Sequence, residues 1–582
     1  MAAILEDFPD IKATFNLVPS LLSPLQAYAV GASDPFLELT LKPAENLSPG
    51  DRAWVLRHFF SAHPATMIAP RKRYAELLEK RRRACGDGNF DAGQADFSAE
   101  EMRDLQVWFN LAWMDPYWET HDEAVRELLR KGRGFSEADK EALVSKQREI
   151  CGGVIRKHKE LSQAGRIEIS ASPFYHPILP LLVDTESARA NVHPWISPRK
   201  RFRYPQDALA QLKRGSELHR ELFGKAPKGL WPSEGSVSPE MIPLAREAGF
   251  EWMATDEEIL WRSLKGDRSK TSLYEPFWSA HKGERIATVF RDRALSDAIG
   301  FVYAGWNAKL AVEDFLKRLD GIRLRERRSG RPPLVSVILD GENCWENYPE
   351  DGREFLSRLY ESLSRDPRFS TTTVGGFIQA HPPQTTLEPL YTGSWIGASF
   401  SIWIGDEEDR EAWDRIGEAR EFLEKHLEAH PEKRESPEAA LAWESLYSAE
   451  GSDWMWWYGP EHFSEDAPIL DQIFRDHVGY VYRALGEPPP SGLASPIRRV
   501  AATYPSWSPT GAIAPRLDGL ITSYFEWVGA GGFDLSQMAS AMHPGAHLFM
   551  TLLYGLDKAR KTLFLRLDPG GGKPGNPPRP TT

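Results

Sequence analysis

Six short β-rich runs, each cut off by polar or charged residues and followed by a helical pattern, govern what this chain can fold into. They are IKATFNLVPS (11–20), GRIEISAS (165–172), KGLWPSEG (228–235), FEWMATDEE (250–258), RIATVFRD (285–292) and PPLVSVILDGE (332–342). Strand, loop and helix in repeated alternation build a parallel sheet, because each crossover helix returns the chain to the start of the next strand. After KGLWPSEG, Ser238 is expected as an N-cap, Pro239 at the first helical position and Glu240 in the first turn of a helix that stops at Gly249. Glu234 then lies just past the C-terminal end of a strand. Asp340 ends the run VSVIL and has the same address, which is where parallel barrels carry their chemistry.

At 582 residues the chain exceeds what one core usually supports. We expect a barrel domain over 1–404 carrying a helical insertion at about 21–164, then a helical subdomain (405–486) that completes the cleft. A Pro-rich linker (487–515), a small β domain (516–568) and a disordered tail (569–582) follow.

Several function classes are disfavoured by composition. The net charge of −12 arises from 83 acids against 71 Lys and Arg, without a basic stripe, so no nucleic-acid partner is expected. No run approaches the roughly 18 apolar residues of a membrane span, and no signal-peptide pattern opens the chain. Cys85, Cys151 and Cys344 have no metal spacing and cannot form a disulfide framework. A soluble cytoplasmic protein with no membrane partner is the expectation. The 15 His form no HExxH and no close cluster with Asp, so metal catalysis is not expected and no cofactor is called for, and WPSEGSV is not GxSxG, which disfavours a Ser nucleophile.

Two acids on different barrel strands suit glycoside hydrolysis, in which one carboxyl protonates the leaving oxygen while the other attacks the anomeric carbon or activates water. The residues around Glu234 and Asp340 fit. Trp231, Pro232 and Trp345 can wall the acids in apolar surface, and 20 Trp residues, several in polar glycine-containing stretches, suit pyranose faces as well as protein core. The alternative is that Glu234 caps the following helix and Asp340 only ends a strand. Glu168 and His176 follow another strand, and a lone His there is as readily a structural hydrogen-bonding group as a ligand.

The segments TFNLVPSLL, GRIEISASPFYHPILPLL, GLWPSEGSVSPE, FRDRALSDAIGF, VILDGENCWENYPEDG and SWIGASFSIWIG resemble, in order, the motifs of glycoside hydrolase family 57. The wording is nearest its α-amylase and amylopullulanase-like members. The resemblance runs from about residue 4 to 485 and implies a (β/α)7 barrel acting on α-glucan polysaccharide or oligosaccharide with retention of configuration. It makes Glu234 the nucleophile and Asp340 the acid/base, and places Glu168, His176, Trp231, Arg291, Asp297 and Trp395 in the sugar-binding cleft. Family members begin with a strand bearing an HQPY-like motif, which is not found ahead of MAAILEDFPDIKATFNL. Six strand signatures stand where the family needs seven, which implies a start assigned downstream of the true one or a shortened paralogue. A 4-α-glucanotransferase or branching enzyme would use the same two acids. A non-catalytic glucan-binding protein is the alternative of a different class, and a metal-dependent deacetylase would need an Asp and His cluster that is not found.

Overall fold

The computed structural model describes residues 2–86, 88–267, 271–327, 330–341, 345–459, 466–499, 506–517, 524–534, 549–557 and 561–569. Its centre is a parallel sheet. β1 (Ala13–Asn16) pairs with β2 (Ile167–Ser170), which meets β3 (Gly229–Leu230) through a parallel bridge from Ala171 to Leu230. β3 pairs with β4 (Trp252–Asp256) and β4 with β6 (Glu284–Arg291), all in parallel. β5 (Phe277–His281) runs antiparallel to the first half of β6 and carries β7 (Thr385–Leu387) on its far side. Neither β5 nor β7 is among the six sequence signatures. The sixth signature forms no full strand: 333–340 makes one parallel bridge, Ser336 to Arg291, where β5 has already left the edge of β6.

Period-two alternation gives the sheet two chemically different faces. Met253, Ile286 and Phe290 turn outward into the largest apolar cluster, beneath the helices Pro205–Phe223 and Met241–Glu247. Thr14, Asn16, Glu168 and Ser170 turn inward and hydrogen-bond among themselves, and Trp252, Ala254, Ala287 and Val289 form a small inner cluster with Ile338, Val374 and Ile378. Gly229 is required here because the Trp252 indole lies across it; a Cβ would sit 2.0 Å from the ring.

On the side of β1 away from β2, Lys12 N–H donates to Thr371 Oγ1 at 2.9 Å, and Val374 N–H donates to Thr14 Oγ1 at 3.1 Å. The segment 371–375 therefore runs along the outer edge of β1, and the helix Val374–Ala380 turns its apolar residues against the inner sheet face. Edge backbone groups gain partners this way.

Helices fill 19–163, from Pro19–Ala29 to Glu137–Gln163, with a core of their own that includes Leu56, Phe59, Tyr74, Met102, Leu105 and Trp108. The helices Glu407–Ala429, Pro437–Ala449 and Ala467–Ala484 share the main cluster on the outer face of the central sheet instead. Part of the predicted linker is ordered onto them: Asp471 accepts from the backbone N–H of Ile497 at 3.0 Å, and Leu493 and Ile497 are buried.

β8 (Ser506–Trp507), β9 (Gly531–Asp534), β10 (Phe549–Asp557) and β11 (Thr562–Pro569) form an antiparallel sheet in the order β11-β10-β9-β8. Two of its three expected strands are present. Within the third, LITSYFEWVGA, Tyr524–Trp527 is a single 3-10 turn, and residues 520–523 lie outside the described residues, as does the tail beyond 569. No helix among the described residues is long and apolar enough to cross a membrane.

Candidate active site

Glu234 stands in a 3-10 turn, Ser233–Gly235, four residues beyond β3, with φ 57° and ψ 28°. Left-handed backbone at a glutamate costs on the order of 1 kcal/mol and persists only where surroundings impose it. They do so from the 393–395 segment. Val237 and Gly393 exchange both backbone hydrogen bonds (2.8 and 3.0 Å), and Trp395 N–H donates to the Glu234 carbonyl at 3.0 Å. Thr255 Oγ1, near the C-terminal end of β4, donates to the Gly235 carbonyl at 2.6 Å.

Every residue from Pro232 to Pro239 except Glu234 is buried. The carboxylate accepts from Trp395 Nε1 at 2.8 Å on Oε2, and the Trp231 ring meets Trp395 edge-on at 5.4 Å. The expected cap role is absent: the following helix starts at Met241 with Glu240 as its N-cap, two residues later than the sequence suggests, and Ser238 is buried without a hydrogen-bond partner among the described residues.

Asp340 is partly buried four residues beyond the Ser336 bridge. Three contacts place its segment. Asp292 N–H donates to the Ser336 carbonyl at 2.8 Å, Ile338 N–H to Ser296 Oγ at 3.0 Å, and Arg291 Nε to the Ile338 carbonyl at 2.6 Å. Residues 333–339 keep a strand's alternation without its ladder: Val335, Val337 and Leu339 pack on the Leu295 cluster, Leu334 and Ile338 on the Trp252 cluster.

Arg291, the last residue of β6, is 3% exposed and lies with its guanidinium 5.4 Å from the Trp395 ring centroid. Its Nη2 pairs with Asp297 Oδ1 at 2.6 Å, and its Nη1 is 3.6 Å from Asp256 Oδ2. Asp256 also accepts from Arg293. Next to it, burial and the Asp256 charge push the Glu257 carboxyl up to about 7.

Three expected cleft residues have other surroundings. Glu168 lies in the first half of β2, where its carboxylate accepts from Trp252 Nε1 at 2.9 Å and from Gly375 N–H at 2.7 Å. An inward-pointing position in the first half of a strand faces the barrel floor, not its mouth. Trp345 packs inward. It is 8% exposed in an apolar cluster with Leu295, Ile299 and Phe355, packed on Tyr348 and on Gly352, whose Cβ would lie 2.4 Å away. Its size serves to anchor the loop after Asp340. His176, itself left-handed at φ 56°, pairs Nδ1 with Ser452 Oγ at 3.1 Å, and its carbonyl accepts from Ser452 N–H, which ties it to the aromatic turn 452–458.

Sequence reasoning passed over Asp256, although it ends β4 at the same address as the singled-out acids. It also passed over Thr66, from the insertion, whose Oγ1 donates to the Glu346 carbonyl at 2.6 Å and so docks the insertion onto the loop after Asp340. A contact across 280 residues between a hydroxyl and a carbonyl leaves no sequence signal. No group of three or more His, Cys, Asp or Glu that could hold a metal occurs among the described residues.

The fold is that of an α/β protein, with Glu234, Asp256 and Asp340 each at or beyond the carboxyl end of a parallel strand or bridge. The model of glycosyl hydrolase family 57 matches residues 1–390, and the chain belongs to that family. Among relatives, it is 28% identical over 101 residues to alpha-amylase 1 of Dictyoglomus thermophilum, covering 17% of this chain and 12% of that protein. It is 27% identical over 233 residues to the 4-alpha-glucanotransferase of Thermococcus litoralis, covering 39% and 29%. The chain thus spans well under two thirds of the curated relatives it matches. The crystal structure of a GH57-type branching enzyme from Pyrococcus horikoshii aligns over 81% of this chain and 88% of that one, with 16% identity and a TM-score of 0.49.

Proposed function

We propose that this protein is a retaining glycosidase of α-glucans in which Glu234 is the nucleophile and Asp340 the acid/base. The observation that carries the reading is the Glu234 turn: a partly exposed carboxylate on strained backbone, in a loop otherwise buried, aimed by an indole N–H. Such a placement has no use in a helix cap or a solvated surface, whereas an attacking group must be rigid and reach substrate. Family membership supports the reading, and so do the names of relatives, which include amylases, glucanotransferases and a branching enzyme.

In the first step a Glu234 oxygen forms an ester bond to the anomeric carbon. The bond from that carbon to the glycosidic oxygen breaks, its electron pair stays on the oxygen, and that oxygen takes the proton of Asp340. In the second step Asp340 takes a proton from the acceptor hydroxyl, whose oxygen bonds to the anomeric carbon on the face the leaving oxygen vacated while the ester bond to Glu234 breaks and its electron pair returns to the carboxylate. Such a route needs carboxyl groups about 5–5.5 Å apart. Trp231, at the lip of the loop, supplies an aromatic plane for a pyranose face.

Turnover of maltoheptaose by the chain and by its Glu234→Gln and Asp340→Asn variants tests the assignment. The proposal expects loss of at least about 10³-fold in Glu234→Gln. Shortened products alone indicate water as acceptor; longer ones beside them indicate a sugar hydroxyl. Glucan binding without turnover in the unaltered chain would overturn the enzymatic reading.

A further inference from the structure

Arg291 touches both catalytic segments at once. Its face lies over Trp395, the residue that donates to Glu234, and its Nε holds the Ile338 carbonyl, two residues before Asp340. Asp297 fixes the guanidinium from a third direction at 2.6 Å, and Asp256 stands 3.6 Å away from a fourth. At 3% exposure beside carboxylates 1% and 0% exposed, the charge sits where an unpaired cation would be strongly unfavourable. Burying such a cluster at the end of a strand gives little net stability, since well-packed apolar groups of the same volume serve as well. What the cluster supplies is direction: a planar fork addresses several acceptors at fixed angles while its face stacks on an aromatic ring.

Resting on the proposed function, we infer that Arg291 is the positioning residue that sets the distance between the two reacting carboxyls. It acts through Trp395 and the Ile338 carbonyl. It couples them, because any displacement of the guanidinium moves Trp395, and with it Glu234, relative to the segment that carries Asp340. Asp297 is its anchor: Asp297→Asn keeps the shape and removes the charge that holds the fork in register. Lysine cannot substitute, having one ammonium where the site presents a carbonyl, a carboxylate and a ring in three directions.

The test is steady-state kinetics on maltoheptaose and on α-maltosyl fluoride, whose leaving group needs no proton, for the unaltered chain, Arg291→Lys, Arg291→Met, Arg291→Ala and Asp297→Asn, each with its thermal melt. Misplacing reacting groups by fractions of an ångström to one ångström costs about 10- to 100-fold in kcat. The expected result is a loss of that order on maltoheptaose in both Arg291→Lys and Arg291→Met, with KM within about threefold and a smaller loss on the fluoride. Added guanidinium should recover part of the activity of Arg291→Ala. A kcat in Arg291→Met within twofold of the unaltered chain, or a loss carried wholly by KM, would overturn the inference and leave the proposed function standing. An unaltered chain that is folded and turns over neither substrate would overturn both. If Arg291→Met fails to fold, Arg291→Lys and Asp297→Asn decide the matter by the same kcat criterion.

Discussion

Trp395 holds Glu234 twice, donating its indole N–H to the carboxylate at 2.8 Å and its backbone N–H to the glutamate's own carbonyl at 3.0 Å. One residue thus fixes both the left-handed backbone and the direction of the side chain. Trp395→Phe keeps an aromatic ring and removes only the indole donor. A hydrogen bond to a charged group contributes about 1.5–3 kcal/mol, so kcat/KM should fall roughly 10- to 100-fold with little change in melting temperature. Glucan kinetics beside a thermal melt check this, and an unchanged kcat/KM would show that the indole N–H is dispensable.

Glu257 gives the fold a pH dependence of predictable sign. Its carboxyl is raised from the ordinary 4.5 to about 7, first by burial and then by the Asp256 charge. A carboxyl raised in the folded state favours folding fully below about 4.5, and that contribution is lost as pH rises through about 7. Glu257→Gln removes the titration. The variant should melt with the unaltered chain at pH 5 and above it at pH 8.5, by an amount corresponding to about 2–3 kcal/mol. Parallel melting curves at both pH values would contradict the assignment.

Glu168 and Gly375 form a structural joint. A Cβ on Gly375 would lie 2.4 Å from Glu168 Oε1, so Gly375→Ala should push the Val374–Ala380 helix off the inner sheet face and destabilise by about 1–3 kcal/mol. Glu168→Gln should also lower stability while leaving KM for maltoheptaose unchanged, because the residue faces the sheet floor. A raised KM at normal stability would return Glu168 to the sugar cleft.

Gly321 is the contrasting case. It lies inside the helix Ala308–Glu326, where the nearest atom to an added Cβ is the end of the Arg325 side chain at 3.6 Å, so Gly321→Ala should stabilise by about 0.5–1 kcal/mol. Urea melts of the two alanine variants should move in opposite directions.

How much of this could be read in the sequence follows from what leaves a local pattern. Apolar alternation followed by helical spacing marked the places of β1, β2, β3, β4 and β6, with starts within two residues, although the runs around β1 and β3 extend four and five residues past the strand ends, and strand-end position singled out Glu234 and Asp340. β5 and β7 went unread because they lie outside the strand–helix repeat, β5 antiparallel to β6 and β7 beyond it. The packing of Trp345 was not legible, because proximity to Asp340 in sequence says nothing about which way a ring packs, and this one packs into the Leu295 cluster. The clamp of Arg291, Asp297 and Trp395 joins residues over 100 apart, so the sequence could name its members but not their contacts. Thr66 and Gly375 carry no signal short of the fold itself.

The most direct test of the central claim is to trap the covalent intermediate. A 5-fluoro-α-glycosyl fluoride of glucose or maltose forms the glycosyl ester faster than water removes it, and peptide mapping by mass spectrometry then locates the label. The account predicts one added glycosyl group per chain, on Glu234 in the peptide containing GLWPSEGSVSPE, and none in Glu234→Gln. A label on another carboxylate, or turnover that releases the inverted anomer without any label, would contradict it.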